Sequence, residues 1–129
     1  MNSKLNTGIA AYRMAATQVH PRVAIVKLFD QMLFLLRRAI TATEAKKHEE
    51  SYINIVKTSM ILRALIQNLR FDLAEQMSTD LMRTYNRNIV ALHMAYGKPD
   101  AIARYQKIAE GLAELRDAWA IVAGMPTLK

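Results

Sequence analysis

Apolar side chains recur along this chain at intervals of three and four residues, the spacing that lines one face of an α-helix. From about Pro21 to Ala45, Ile25, Phe29, Met32, Leu33, Leu36 and Ile40 make a broad apolar face. Lys27, Asp30, Gln31, Arg38 and Thr41 are left as a narrow polar strip, with Phe34 near its middle. His20 precedes Pro21 at an N-cap-like position, and proline suits a first helical turn because its φ is already set and its missing N–H had no partner. A second periodic stretch runs from about Glu49 to Leu73, with Ile55, Leu62, Leu65, Ile66, Leu69 and Leu73 inward. The third covers about Thr79 to Tyr96, with Leu81, Tyr85, Ile89, Leu92 and Tyr96 on one side. Gly97-Lys98-Pro99-Asp100 spells a turn, with Gly97 suited to a helix C-cap. The fourth stretch, from about Asp100 to Ala123, lines up Tyr105, Ile108, Leu112, Leu115 and Trp119 before Gly124 and Pro126 stop it.

Short joints between four long helices predict an all-α, antiparallel up-and-down four-helix bundle. The organisation read from this is a leader over 1–20 that packs on the bundle, a single-domain bundle over 21–123, and a tail over 124–129. The leader carries its own apolar pair, Ile9 and Tyr12, and cannot form a core alone.

The second helix holds more apolar residues than one buried face needs. Ile53, Val56, Met60, Ala64 and Phe71 make a second stripe roughly opposite the first, flanked by Arg63 and Arg70 on one side and by Lys57 and Asn68 on the other. On the third helix Val90 and Met94 lie away from the core among Arg83 and Arg87. Such a stripe packs against another subunit, lies under the leader, reflects a shifted helix phase, or forms a groove for a partner helix. Contiguous apolar surface rimmed by charge favours an interaction site. The candidate partner-binding residues are therefore Ile9, Tyr12, Ile53, Val56, Met60, Ala64, Phe71, Arg63, Arg70, Arg87, Val90 and Met94.

Composition narrows the function classes. The 129 residues contain no cysteine, which excludes disulfides, thiolate metal sites and cysteine nucleophiles. No apolar run approaches the roughly 20 residues that span a bilayer, and MNSKLNTGIAAYR lacks a signal-peptide core. A soluble cytoplasmic chain without membrane insertion is expected. The formal net charge of +7 steers it towards acidic partners or nucleic acid. The cations are scattered, with no run of five, so nucleic acid is not the expected partner. Eight methionines are many; methionine fills cores but also lines adaptable binding surfaces.

A catalytic centre is not expected. His20, His48 and His93 fall on different elements, and Glu44 with His48 is one isolated i, i+4 pair. Di-metal bundles need Glu-x-x-His motifs, which this sequence lacks. No phosphate-cradling glycine loop, dinucleotide fingerprint or nucleophile elbow occurs. No cofactor or metal is predicted, and the chain is read as non-enzymatic.

Four segments in order resemble the flagellin-specific secretion chaperones, the FliS family. Gly8-Ile9-Ala10-Ala11-Tyr12 resembles its Ile-x-Ala-Tyr leader, and His20-Pro21 with Val26-Lys27-Leu28-Phe29-Asp30 its Ser-Pro…Met-Leu-(Tyr/Phe)-Asp stretch. Tyr85-Asn86-Arg87-Asn88-Ile89 is similar to its third-helix Arg-Arg-Leu region, and Arg116-Asp117-Ala118-Trp119 to its closing Asp-Ala-Trp. The resemblance implies a cytoplasmic bundle, monomeric or weakly dimeric, that holds the C-terminal segment of flagellin and keeps it from polymerising. It also implies delivery to the export apparatus, with an export-gate component as a further partner, and makes Ile9 and Tyr12 the residues that control the groove. The chain departs from the pattern at His20, Lys27, Gln31 and Asn88, and by about one extra turn around His93 to Pro99. Two other readings predict different behaviour: a basic helical adaptor for nucleic acid, and a bundle whose second stripe is a homodimer interface.

Overall fold

The computed structural model describes residues 20–129, and Ile9 and Tyr12 lie outside them. Four helices follow in order: α1 (Pro21–Glu44), α2 (His48–Gln67), α3 (Glu75–Ala95) and α4 (Ala101–Ala123). α1 packs on α2 and α4, and α3 packs on α2 and α4, so the four close into a ring with α1 and α3 on one diagonal. This is the expected antiparallel four-helix bundle.

The helix ends follow local chemistry. His20 caps α1, its Nδ1 accepting the Arg22 amide at 3.2 Å, and Pro21 opens the first turn. Between α1 and α2 the chain turns through Lys46 at φ 59°, in the left-handed region, and Lys47 N–H closes on the Ala42 carbonyl at 2.8 Å. Gly97 at φ 78° and Gly124 at φ 70° supply the same left-handed step after α3 and α4, where a side chain is disfavoured.

The second helix ends at Gln67, six residues before the Leu73 boundary that its periodicity predicts. Asn68 turns its side-chain amide back onto the Ala64 carbonyl at 2.8 Å. Two residues on, Arg70 folds onto Asp72 through two hydrogen bonds of 3.0 and 2.8 Å. Short polar side chains that bond the local backbone compete with helix continuation. Phe71 and Leu73 therefore stand on the connection, not on the helix, and Leu73 is 72% exposed rather than inward.

The core is apolar along the bundle axis. Phe29, Met32 and Leu36 of α1 meet Ile55 and Leu62 of α2, Tyr85 and Leu92 of α3, and Tyr105 and Leu112 of α4. The Phe29 and Tyr85 rings meet across the diagonal with centroids 6.3 Å apart and planes tilted by 53°. Burying each such side chain contributes roughly 1.5–3 kcal/mol. α2 is the exception to this pattern: its inward face also carries Ser51, Asn54, Thr58 and Ser59. Local bonds satisfy two of them, Thr58 Oγ1 donating to the Asn54 carbonyl and Asn54 Nδ2 to the Glu50 carbonyl, while Ser51 bonds Thr43 of α1 and Ser59 bonds His93 of α3.

Candidate functional site

The predicted second stripe faces solvent. On α2, Ile53 is 45% and Met60 62% exposed, with Val56 and Ala64 half-buried beside them. On α3, Val90 is 60% and Met94 58% exposed. A hydrogen bond between Ser59 Oγ and His93 Nε2, 2.9 Å long, fixes the antiparallel register of the two helices. Met60 and Met94 each follow one of those residues, so each turns about 100° from the seam towards the outside. Their levels along the bundle coincide to within about a turn, and Val90 lies one turn from Met94. Ile53 and Met60 on one helix thus border Val90 and Met94 on the other. The Tyr52 and Tyr96 rings, 5.2 Å apart, close the end of the seam near the start of α2, where the Tyr96 hydroxyl donates to the His48 carbonyl at 3.4 Å.

Charge rims this strip. Lys57, Arg63, Arg83 and Arg87 are exposed and form no ion pair among the described residues. Arg70, by contrast, is engaged with Asp72, whose carboxylate raises its pKa through a hydrogen bond and charge. Phe71, 40% exposed, extends the apolar surface onto the connection with Leu73. Of the predicted set, Ile53, Val56, Met60, Ala64, Val90 and Met94 come together on one face, and Arg63 and Arg87 border it. Arg70 and Phe71 sit at its far end, off the helix.

Sequence reasoning missed the polar seams. Ser59–His93 joins residues 34 positions apart, and Asp30–Arg116 joins residues 86 apart, so no short motif announces either. Arg116 is buried within α4; it donates to Asp30 Oδ1 at 2.9 Å and to the Pro126 carbonyl at 2.7 Å. The Asp30 carboxylate beside it, with Asp117, raises its pKa further above the ordinary arginine value.

The strip is chemically an adsorbing surface, offering apolar contact and arginine donors. The family model for flagellar protein FliS matches residues 6–125. The chain belongs to the FliS family. A comparison with curated proteins returned no match. FliS proteins are flagellar export chaperones for flagellin, a chaperone family rather than an enzyme family. No helix among the described residues is long and apolar enough to cross a membrane.

Proposed function

We propose that this FliS-family chain works in the cytoplasm, holding the C-terminal region of flagellin along the outer face of α2 and α3. That region, disordered in the free monomer by the family resemblance, folds as an amphipathic helix only where an apolar surface receives it. Holding it blocks premature filament polymerisation and keeps flagellin ready for the flagellar export apparatus, with an export-gate component as the receiving partner. The observation that carries the reading is the pairing of Ile53 and Met60 with Val90 and Met94 across one seam, all exposed and flanked by Arg63 and Arg87. Ile9 and Tyr12 act as gate residues over this strip, and the free chaperone is a monomer or weak dimer.

Calorimetry of the full chain with a flagellin C-terminal peptide tests the reading, with circular dichroism following peptide helix. Expected are a 1:1 complex, a gain in helix, and altered affinity in Tyr12→Ala and Met60→Asp. Unchanged affinity in both variants, or no complex at all, overturns it. A steep loss of binding with salt would instead mark phosphate contacts and nucleic acid. Sedimentation showing a stable dimer through the same face would mark a structural homodimer.

A further inference from the structure

The outward face of α1 carries a different chemistry, which flagellin binding along α2 and α3 does not use. Lys27, Gln31, Phe34, Arg38 and Thr41 follow one another at four- and three-residue steps, so they form one line along the helix. All five are exposed. Phe34 is the one large apolar side chain in that line and is 43% exposed. The Arg38 guanidinium lies over its ring, 5.7 Å from the centroid. Folding does not require this phenyl, because Val26, Phe29, Met32 and Leu36 already fill the inward side of the helix.

Where α1 turns into α2, a hollow of about 230 Å³ opens beside Phe34, lined also by Arg37, Arg38, Thr41, Lys47 and Glu50. Glu50 is its single carboxylate and reaches Arg38 only at 3.8 Å, with both side chains about half exposed. Arg37 and Lys47 pair with no carboxylate among the described residues. The hollow thus sets three cations and an exposed aromatic against one anion. The hollow shares no lining residue with the outer α2–α3 strip: Glu50 stands about one turn before Ile53 at the near end of that strip, and Met60 lies about two turns farther along α2.

The geometry points to a second docking surface here, for an acidic protein segment carrying an aromatic or aliphatic anchor. The anchor enters the hollow against Phe34, and its neighbouring carboxylates meet Arg37, Arg38 and Lys47. An arginine fork binds a carboxylate through two parallel N–H donors, a geometry that the long contact to Glu50 does not use. Aromatic and arginine side chains together are also the residues on which interface energy concentrates. A nucleic-acid backbone fits less well, since a phosphate track wants a continuous row of cations. The line here holds only Lys27 and Arg38, interrupted by Gln31 and Phe34.

The test uses the full chain and a panel of labelled peptides of about 15 residues, Glu-rich with one Phe, Leu or Trp anchor, read by fluorescence anisotropy. Saturable binding is expected, weakened about tenfold or more by Phe34→Ser and by the Arg37→Glu, Arg38→Glu pair. The same loss is expected when lysine replaces the peptide's glutamates or alanine its anchor. Met60→Asp should leave the affinity within about twofold, because Met60 lies about 15 Å beyond Glu50 along α2. All these substitutions fall on exposed positions, so thermal unfolding should confirm folded variants. No saturable binding by any panel member overturns the proposal, as does loss in Met60→Asp with retention in Phe34→Ser. Tighter binding of a single-stranded RNA through Arg37 and Arg38 would overturn it in favour of nucleic acid. None of these outcomes depends on whether flagellin binds the α2–α3 strip.

Discussion

The α1–α4 seam and the α2–α3 seam are both antiparallel helix pairs, yet they treat polar and apolar atoms in opposite ways. Between α1 and α4, Val26, Phe29, Tyr105 and Leu112 are buried, and the one charged group drawn in, Arg116, has Asp30, Asp117 and a tail carbonyl as partners. Between α2 and α3 the closing contact is a small polar pair, Ser59 with His93, while Met60, Val90 and Met94 stand in water. α2 places Ser51, Asn54, Thr58 and Ser59 inward and several of its larger apolar residues outward. Apolar area left in solvent gives nothing to folding, and becomes available when a partner removes it from water. Both halves contribute to the core, α2 and α3 through Ile55, Leu62, Tyr85 and Leu92, but only the α2–α3 half also leaves a strip of apolar contact in solvent.

Arg116→Ala should produce the largest effect and should confine it to the first half. It strips the guanidinium from Asp30 and Asp117 and frees the tail at Pro126. Breaking a buried pair is strongly destabilising; Asp30 is half exposed, so roughly 2–3 kcal/mol is expected in chemical denaturation. Affinity for the flagellin peptide should hold within about twofold. Met60→Asp should show the reverse. Its effect on unfolding should stay under about 0.5 kcal/mol, as for other exposed sites, while peptide affinity falls about 10- to 30-fold. If each variant moved both quantities alike, the division between the two halves would fail.

The four helices were legible because their periodicity is strong and because Gly97, Pro99 and Gly124 mark their ends. The outer strip was legible for the same reason, since Ile53, Val56, Met60, Val90 and Met94 repeat at helical spacing. Phe71 was misplaced because apolar period alone does not register the competing bonds of Asn68 and the Arg70–Asp72 pair. The polar inward line of α2 was invisible because its small side chains have the spacing of a solvated face, and two of them, Ser51 and Ser59, find their partners Thr43 and His93 on other helices. Arg116 was equally hidden, for its partner Asp30 lies on the far side of the fold topology.

Tyr105→Phe gives a smaller effect, with a sign opposite to that of a lost hydrogen bond. The Tyr105 hydroxyl is buried without a hydrogen-bond partner among the described residues. Ser51 lies near enough to favour the phenolate, but its hydroxyl is already bonded to Thr43 at 2.8 Å, and burial pushes the Tyr105 pKa up. An unmade buried hydrogen bond costs about 1–3 kcal/mol, so the phenylalanine variant should be more stable, by about 1 kcal/mol. A loss of stability would show that the hydroxyl does bond Ser51, and that the α2 end of the core is better satisfied than the geometry indicates.

Acid gives the smallest effect and acts on the tail of the closed half. The Leu128 amide, donating to Asp117 Oδ1 at 2.8 Å, holds that carboxyl below the ordinary value of 3.8, and Arg116 adds to the shift. A carboxyl whose pKa is lower folded than unfolded binds its proton more readily when unfolded. Its stabilisation is complete above the ordinary value and is lost as pH falls through the lowered one. Between neutral pH and about pH 5 the Leu128 amide should therefore keep its NMR shift, and below about pH 4 move towards a free-tail value. Asp117→Asn should remove that step, because an asparagine at 117 does not titrate. A Leu128 shift that tracked pH equally in both proteins would detach the end of the tail from Asp117, leaving the tail held to α4 through Arg116 on the Pro126 carbonyl and the Met125 amide on the Ala120 carbonyl.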